Sequence, residues 1–409
     1  MRRLTPGHAL IPAAEFEARR STLRDRLAAL DLPGALVFGR GGGTFDRHGD
    51  IVYLTNHYPA MPYLPDRPPM WTAKGHAVLV LPTSEDPVLG VDNPDFALDE
   101  VAVEQVEVGN DVVGLSIRLA ASKGLTRRVG VIGWDTLPAL AAERLRRELP
   151  DLEPVDCSAE IAAMRFVKSS AELAVIREAS AVAVDAMALM LDALEPGLTE
   201  AEIVAAGAAE IVRRGARIQY AAVASGVFSP LYVRRPVTGY DRRRRLDAGD
   251  LVHLDLLLTF EGYYADFQRS AVAGAPAGNR SSGLIEAVKA GVERAIGAVR
   301  PGALAEDVAH AGEAYKAELG LEGEFGLVHP PGWEHRPSSV GDIDYDFWGH
   351  GLGLGLEGPF LRAGDRTVLE PGVVLAVEQF LVQQDVGGAS WEEELIVTEA
   401  GCEVLTAGV

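Results

Sequence analysis

The chain has 409 residues, 48% of them hydrophobic, which is long enough for two domains with separate cores and too apolar for a disordered polypeptide. Its formal net charge of −21 argues against a nucleic-acid backbone or an anionic membrane surface as partner, since both call for a basic face. Two cysteines, Cys157 and Cys402, argue against a disulfide scaffold, and no run of residues reaches the length of a membrane span, so a cytoplasmic protein is expected.

In chain order, residues 15–31 read as an amphipathic helix with Leu23, Leu27 and Leu30 on one face. Short apolar runs follow at 35–38 (ALVF), 51–54 (IVYL), 77–81 (AVLVL) and 129–133 (VGVIG), each read as a buried strand. A helix is expected over 137–149 (LPALAAERLRREL). That alternation predicts an α/β domain with a mixed or parallel sheet. GRGGG at 39–43 lacks the spacing of a dinucleotide loop and the lysine of a phosphate loop, so it reads as a turn. Ser169 and Glu172 form a capping box that opens a long helix. The expected division is residues 1–160 and 161–409.

An internal repeat lies beyond this boundary. PGLTEAEIVAAG at 196–207 matches PGALAEDVAHAG at 301–312, a spacing of 105 residues. Each copy is a Pro-Gly turn that opens a helix and is followed by strand-like sequence. Two copies of one unit predict halves related by a pseudo-two-fold axis with a site between them.

The acidic residues of the second half are chemically unusual. LVHLDLLL and YYADFQRS read as strands joined by a tight turn at Glu261-Gly262, which brings Asp255 and Asp266 together on one face. Two such carboxylates repel each other unless cations sit between them. Glu378 lies in an apolar strand, VVLAVEQF, where an uncompensated carboxylate is costly. His350 stands among glycines in GHGLGLG, which allow close approach to a ligand. WEEELIVT adds Glu392, Glu393 and Glu394, and strand alternation puts Glu392 and Glu394 on one face. Four carboxylates and one imidazole suit two divalent ions with shared carboxylate ligands better than one tetrahedral zinc. Mn²⁺ is the first expectation, and Co²⁺, Zn²⁺ and Fe²⁺ fit the same donors.

The order Asp255, Asp266, His350, Glu378, Glu392 over roughly residues 160–409 resembles the pita-bread metallopeptidases, in the aminopeptidase P, prolidase and creatinase branch. The resemblance implies an α+β protein, an N-terminal α/β domain followed by a pita-bread domain. It selects Glu392, six before Thr398, over Glu394 as the last metal ligand. It implies hydrolysis of an amide-type C–N bond by activated water, with Glu378 moving the proton from water to leaving amine. In that branch the bond lies before proline. A homodimer is implied too, through a loop carrying Tyr53, His57 and Tyr63.

Several positions depart from the family pattern. Its loop histidine is replaced by Tyr232 or Val233, a second histidine by Asp346, a third by Glu357, and an arginine by Ser390. Glu357 is therefore a candidate catalytic acid or base, and Tyr232, Asp346, His253 and His335 are candidate substrate contacts, with His329 in the same proline-rich loop as His335. These changes leave three readings: a dipeptidase or aminopeptidase acting on small peptides near proline, a metal-dependent hydrolase or lyase of a non-peptide small molecule (ectoine-hydrolase-like, creatinase-like or sulfonio-acid-lyase-like), and a non-catalytic binding module. The DRRRRLD run at 241–247 reads as a solvated hairpin tip that could steer an anionic substrate.

Overall fold

The computed structural model describes residues 10–41, 47–59, 64, 66–93, 100–231, 235, 237–274, 279–319, 347–383 and 385–409. Tyr63, Tyr232, Val233, His329, His335, Asp346 and, of GRGGG, Gly42 and Gly43 lie outside them, while Gly39 and Arg40 end a strand rather than form a turn. The chain divides into two compact units at Phe166/Val167.

The first unit runs α1 (Ala13–Ala29), β1 (Gly34–Arg40), α2 (Gly49–Thr55), β2 (His76–Pro82), β3 (Val88–Val91), β4 (Gln105–Val108), α3 (Val112–Ser122), β5 (Arg128–Ile132), α4 (Ala139–Glu148), β6 (Glu153–Asp156) and α5 (Ser158–Phe166). Its strands form one mixed sheet in the order β4-β3-β2-β1-β5-β6. β1 pairs antiparallel with β2 and parallel with β5, which suits strands apolar on both faces. Leu36, Phe38, Val78, Val80, Val129 and Val131 pack with Leu115, Leu119 and Leu145 of α3 and α4 in its core.

A further expectation fails here. Ile51–Leu54 is not a strand but the body of α2. A four-residue apolar run carries no period that separates a buried strand from a buried helix turn. The local chemistry decides: Thr55 Oγ1 donates to the Ile51 carbonyl at 2.6 Å, and Asn56 ends the helix in the left-handed region at φ 55°.

The second unit contains α6 (Ser170–Asp192), α7 (Glu200–Arg213), β7 (Arg217–Ser225), β8 (Leu251–Phe260), β9 (Tyr263–Val272), α8 (Asn279–Ile296), α9 (Ala305–Glu318), β10 (Phe347–Leu352), β11 (Leu356–Arg362), β12 (Val374–Gln383), β13 (Gly387–Thr398) and β14 (Gly401–Val404). Capping boxes start α6 at Ser169/Glu172 and α7 at Thr199/Glu202. One sheet has the order β7-β8-β9 and the other β11-β10-β12-β13-β14. β9 and β13 lie side by side without a backbone ladder. Instead, the buried Arg269 guanidinium donates to the Glu392 carbonyl at 2.6 Å, and the Ser390 N–H donates to Ser270 Oγ at 2.8 Å. The strands of both sheets that carry the candidate ligands therefore face one interior.

The sequence repeat maps onto α7 and α9, each entered from a Pro-Gly turn. A Cβ on Gly207 would fall 2.7 Å from the Ala186 carbonyl oxygen of α6, and one on Gly312 would fall 2.4 Å from the Trp348 ring. The second glycine of each copy thus marks a close approach, of α7 to α6 at Gly207 and of α9 to the Trp348 ring of β10 at Gly312. The β8–β9 hairpin turns at Glu261 (φ 51°) and Gly262 (φ 84°), two left-handed residues as a two-residue hairpin requires.

Candidate metal centre

Strand register builds the site. Asp255 pairs with Gln268 and Leu257 with Asp266, so both aspartates and Gln268 project from one face of β8 and β9. Glu378 pairs with Glu392, Ala376 with Glu394, and His350 with Ala376, which puts His350, Glu378, Glu392 and Glu394 on one face of β10, β12 and β13. Glu393 turns the other way and is bound by Arg269 at 3.0 Å.

Asp266, His350 and Glu392 each offer one ligand atom, all within 4.8 Å of one another. His350 Nε2 stands 3.8 Å from Asp266 Oδ2 and 3.8 Å from Glu378 Oε1. His350 Nδ1 lies 3.0 Å from the Gly351 carbonyl, so the ring donates there and turns the lone pair of Nε2 toward the carboxylates. Burial pushes the imidazole pKa down and keeps it neutral, the form that binds a metal.

The electrostatics call for cations. Asp266 is raised well above the usual carboxylate range by burial and by Asp255, Glu378 and Glu394. Glu392 is raised in the same way by burial, Asp266, Glu378 and Asp255, against the pull of the nearby Gln268 amide. That amide gives its good hydrogen bond to Glu378, which leaves neither Glu392 oxygen in hydrogen-bonding geometry with a donor among the described residues. Burial lifts Glu378 to about 7 against the pull of the Gln268 amide, and lifts Glu394 to about 8. A fully buried carboxylate with no donor is costly unless a metal takes its lone pairs. The donor set therefore fits divalent ions.

Three buried polar groups of the second unit carried no signal in the sequence reading. Gln268 Nε2 donates to Glu378 Oε2 at 2.7 Å, leaving Oε1 on the His350 side. Strand alternation from Asp266 could have found it. The buried hydroxyl of Tyr220, on β7, has no hydrogen-bond partner among the described residues. Its pKa is raised by burial and by the charges of Asp255 and Asp266. Lys168 is the third. Its ammonium lies 3.5 Å from Glu357, and both side chains are largely buried. Glu357 also accepts the Leu354 N–H at 3.0 Å, so its carboxylate is held by Lys168 and the 353–355 turn.

His253 shares the face of Asp255, one step further along β8. Its ring centroid is 5.2 Å from that of Phe380, and burial lowers its pKa to about 3. Ser390, opposite Phe380 in the β12–β13 ladder, has a buried hydroxyl without a partner among the described residues. His253, Ser270, Phe380 and Ser390 thus form a rung beside the carboxylates. In the first unit, Tyr53 donates to the Met164 carbonyl at 3.0 Å, and buried His57 is lowered to about 4. Both cysteines are free, and among the described residues no helix is long and apolar enough to cross a membrane.

Comparison with known proteins identifies the architecture. Residues 174–399 match metallopeptidase family M24, and residues 19–167 match the creatinase/prolidase N-terminal domain. A probable dipeptidase PepE of Mycobacterium tuberculosis is 32% identical over 272 residues, 65% of each chain. An agropine synthesis cyclase of Rhizobium rhizogenes is 26% identical over 373 residues, covering 86% of this chain and 88% of the relative. The prolidase structure from Pyrococcus furiosus superposes with a TM-score of 0.74 at 20% identity, covering 94% of this chain and 99% of that one, which shows a shared fold.

Proposed function

The chain belongs to metallopeptidase family M24 and is a metallopeptidase-like hydrolase, and on that premise we propose that it uses two divalent ions to hydrolyse an amide-type C–N bond in a small peptide-like substrate, in the manner of Xaa-Pro dipeptidases. The observation that carries this reading is the buried group Asp266, His350 and Glu392, with ligand atoms within 4.8 Å, joined by Asp255 and Glu378. When bound, the ions would polarise a substrate carbonyl and make water more acidic. Asp255, Asp266, His350, Glu378 and Glu392 would hold them, with Mn²⁺ the first expectation.

The protein's own groups divide the remaining work. The Gly351 carbonyl holds His350 in one tautomer. Gln268 fixes one oxygen of Glu378, and Glu378, lifted to about 7 in the metal-free site, is suited to take a proton from water and pass it to the leaving amine. His253 and Ser390 border the site and are assigned to substrate contact. Tyr232, His335 and Asp346 are retained in that assignment from sequence alone. A homodimer belongs to the same proposal.

A second reading, chemistry on a non-peptide small molecule, is supported by Glu357. At the place where the family pattern has a histidine, this chain has a carboxylate tied to Lys168, and it shares most of its length with a protein named for agropine cyclisation. The test is metal analysis of purified protein together with a panel of Xaa-Pro dipeptides, other dipeptides and small cyclic amides. Close to two ions per chain and turnover of a dipeptide are expected. Proline release with kcat/KM above about 10⁴ M⁻¹s⁻¹, as for ordinary enzymes, would favour the peptidase reading outright. Absence of bound metal would sink both.

A further inference from the structure

A chain with net charge −21 concentrates four consecutive arginines at 242–245, next to Arg235. Three of these five are engaged internally. Arg235 donates to Asp241 Oδ2 at 2.6 Å, Arg244 is paired with Asp247 and Asp250, and Arg245 donates to the Gly197 carbonyl at 2.5 Å. Arg242 and Arg243 are exposed, and their guanidinium groups have no partner among the described residues. They open onto a cavity of about 380 Å³ lined by Arg235, Thr238, Tyr240, Asp241, Arg242 and Arg243.

The floor of this cavity is built rather than loose. Asp241 is buried, its N–H donates to the buried Glu200 at 2.8 Å, and its Oδ1 accepts the Arg243 N–H at 2.8 Å. Thr238 Oγ1 donates to the Tyr240 carbonyl at 2.6 Å. Three guanidinium groups against one carboxylate leave the cavity with excess positive charge.

Its position ties it to the metal centre. Gly239 lies against the outer edge of β7, accepting the Val223 N–H at 3.0 Å, and the neighbouring Ala222 pairs with Asp255 of β8. Two strand spacings of about 4.8 Å put the Gly239 backbone, at the near end of this segment, about 10 Å from the backbone of Asp255. That is roughly the reach of three extended residues.

We propose that Arg242 and Arg243, with Thr238 and Tyr240, form a carboxylate-binding subsite that selects substrates carrying an acidic group beyond the reacting amide; this rests on the hydrolase reading. Two guanidinium forks in one cavity match the planar, bidentate geometry of a carboxylate. The preferred substrate is then an acidic tripeptide-sized amide rather than a neutral dipeptide.

The test uses the full chain and the double variant Arg242→Gln/Arg243→Gln, whose exposed side chains have no hydrogen-bond or ion-pair partner among the described residues. Calorimetry on chelated protein at low salt, with succinate and separately inorganic phosphate as probes, reads binding without the metals. One succinate per chain is expected, at least about tenfold weaker in the double variant, with phosphate the poorer ligand. No succinate binding, equal binding by both proteins, or a preference for phosphate overturns the assignment. A second arm compares hydrolysis of one tripeptide with a free or an amidated C-terminus in metal-loaded enzyme. The preference for the free carboxylate should fall about tenfold in the double variant. If neither peptide is cleaved the hydrolase reading fails, and the calorimetry still decides the subsite.

Discussion

Removing the metals should make the stability of this protein fall as pH rises, in a window set by the buried carboxylates. Glu394 has a folded pKa of about 8 and Glu378 of about 7, against an ordinary 4.5 for each. Between 4.5 and those values the folded chain holds protons that the unfolded chain has released. The stabilisation is therefore complete below pH 4.5 and lost as pH rises through 7 and 8. Asp266 and Glu392, raised in the same direction, add to it. Histidines act in the opposite sense: His57 and His253 are lowered to about 4 and 3, so they favour folding as pH rises toward 6.5 and are silent above 7. The clean window is pH 7 to 8.5. Across it, Glu394 and Glu378 together give up about 1.5 kcal/mol. For a unit of the size of Val167–Val409 that corresponds to a drop of about 3–6 °C in Tm. Thermal unfolding followed by circular dichroism, at a fixed scan rate with chelator, measures it. With saturating Mn²⁺ the Glu378 carboxylate would be held ionised as a ligand and the nearby positive charge would lower the neighbouring Glu394, so the fall should shrink. A chelated protein whose midpoint is flat or rises over this window, or an equal fall in the Mn²⁺ sample, would refute the reasoning.

Three further outcomes are expected. Gln268→Leu removes the donor to Glu378 Oε2 and should weaken Mn²⁺ binding about 10–100-fold by calorimetry while leaving the circular dichroism spectrum unchanged. Glu357→Gln leaves the buried Lys168 ammonium without its carboxylate and should destabilise the protein by about 3–5 kcal/mol in denaturant titration; if Glu357 also moves a proton, activity drops by about 10²-fold at unchanged metal content. Gly312→Ala puts a methyl group 2.4 Å from the Trp348 ring and should cost about 1–3 kcal/mol despite the better helix propensity of alanine, read from the urea midpoint.

Legibility in the sequence followed the range over which the physics acts. The capping box at Ser169, the hairpin turn at Glu261-Gly262 and the paired Pro-Gly helix starts were readable because each is decided within a few residues. Asp255 and Asp266 could be placed on one face because strand alternation and a two-residue turn fix their register. The 51–54 run was misread because four buried apolar residues carry no period of their own. Bringing Glu378 and Glu392 opposite one another depends on the β12–β13 ladder, and bringing that ladder to Asp266 depends on Arg269 and Ser270 bridging two sheets. No local pattern encodes that bridge. The internal repeat anticipated a site between two halves, and resemblance to a known order of ligands supplied which residues meet there.

Around the carboxylates and His350 stand groups that were not legible: the neutral amide of Gln268 on Glu378, and the rung of His253, Ser270, Phe380 and Ser390. A metal set of this kind can serve many amide substrates, because ions that activate water do not read the rest of the molecule. Discrimination has to come from polar groups that are left unpaired when the wrong substrate binds. The Ser390 hydroxyl and the Arg242 and Arg243 guanidinium groups are such groups, without partners among the described residues. A short Xaa-Pro dipeptide carries no acidic group beyond its own C-terminus, while a longer substrate with a further carboxylate can engage the arginines as well as the metal side of the site. The unpaired cations therefore argue for an acidic substrate more strongly than the metal ligands argue for proline.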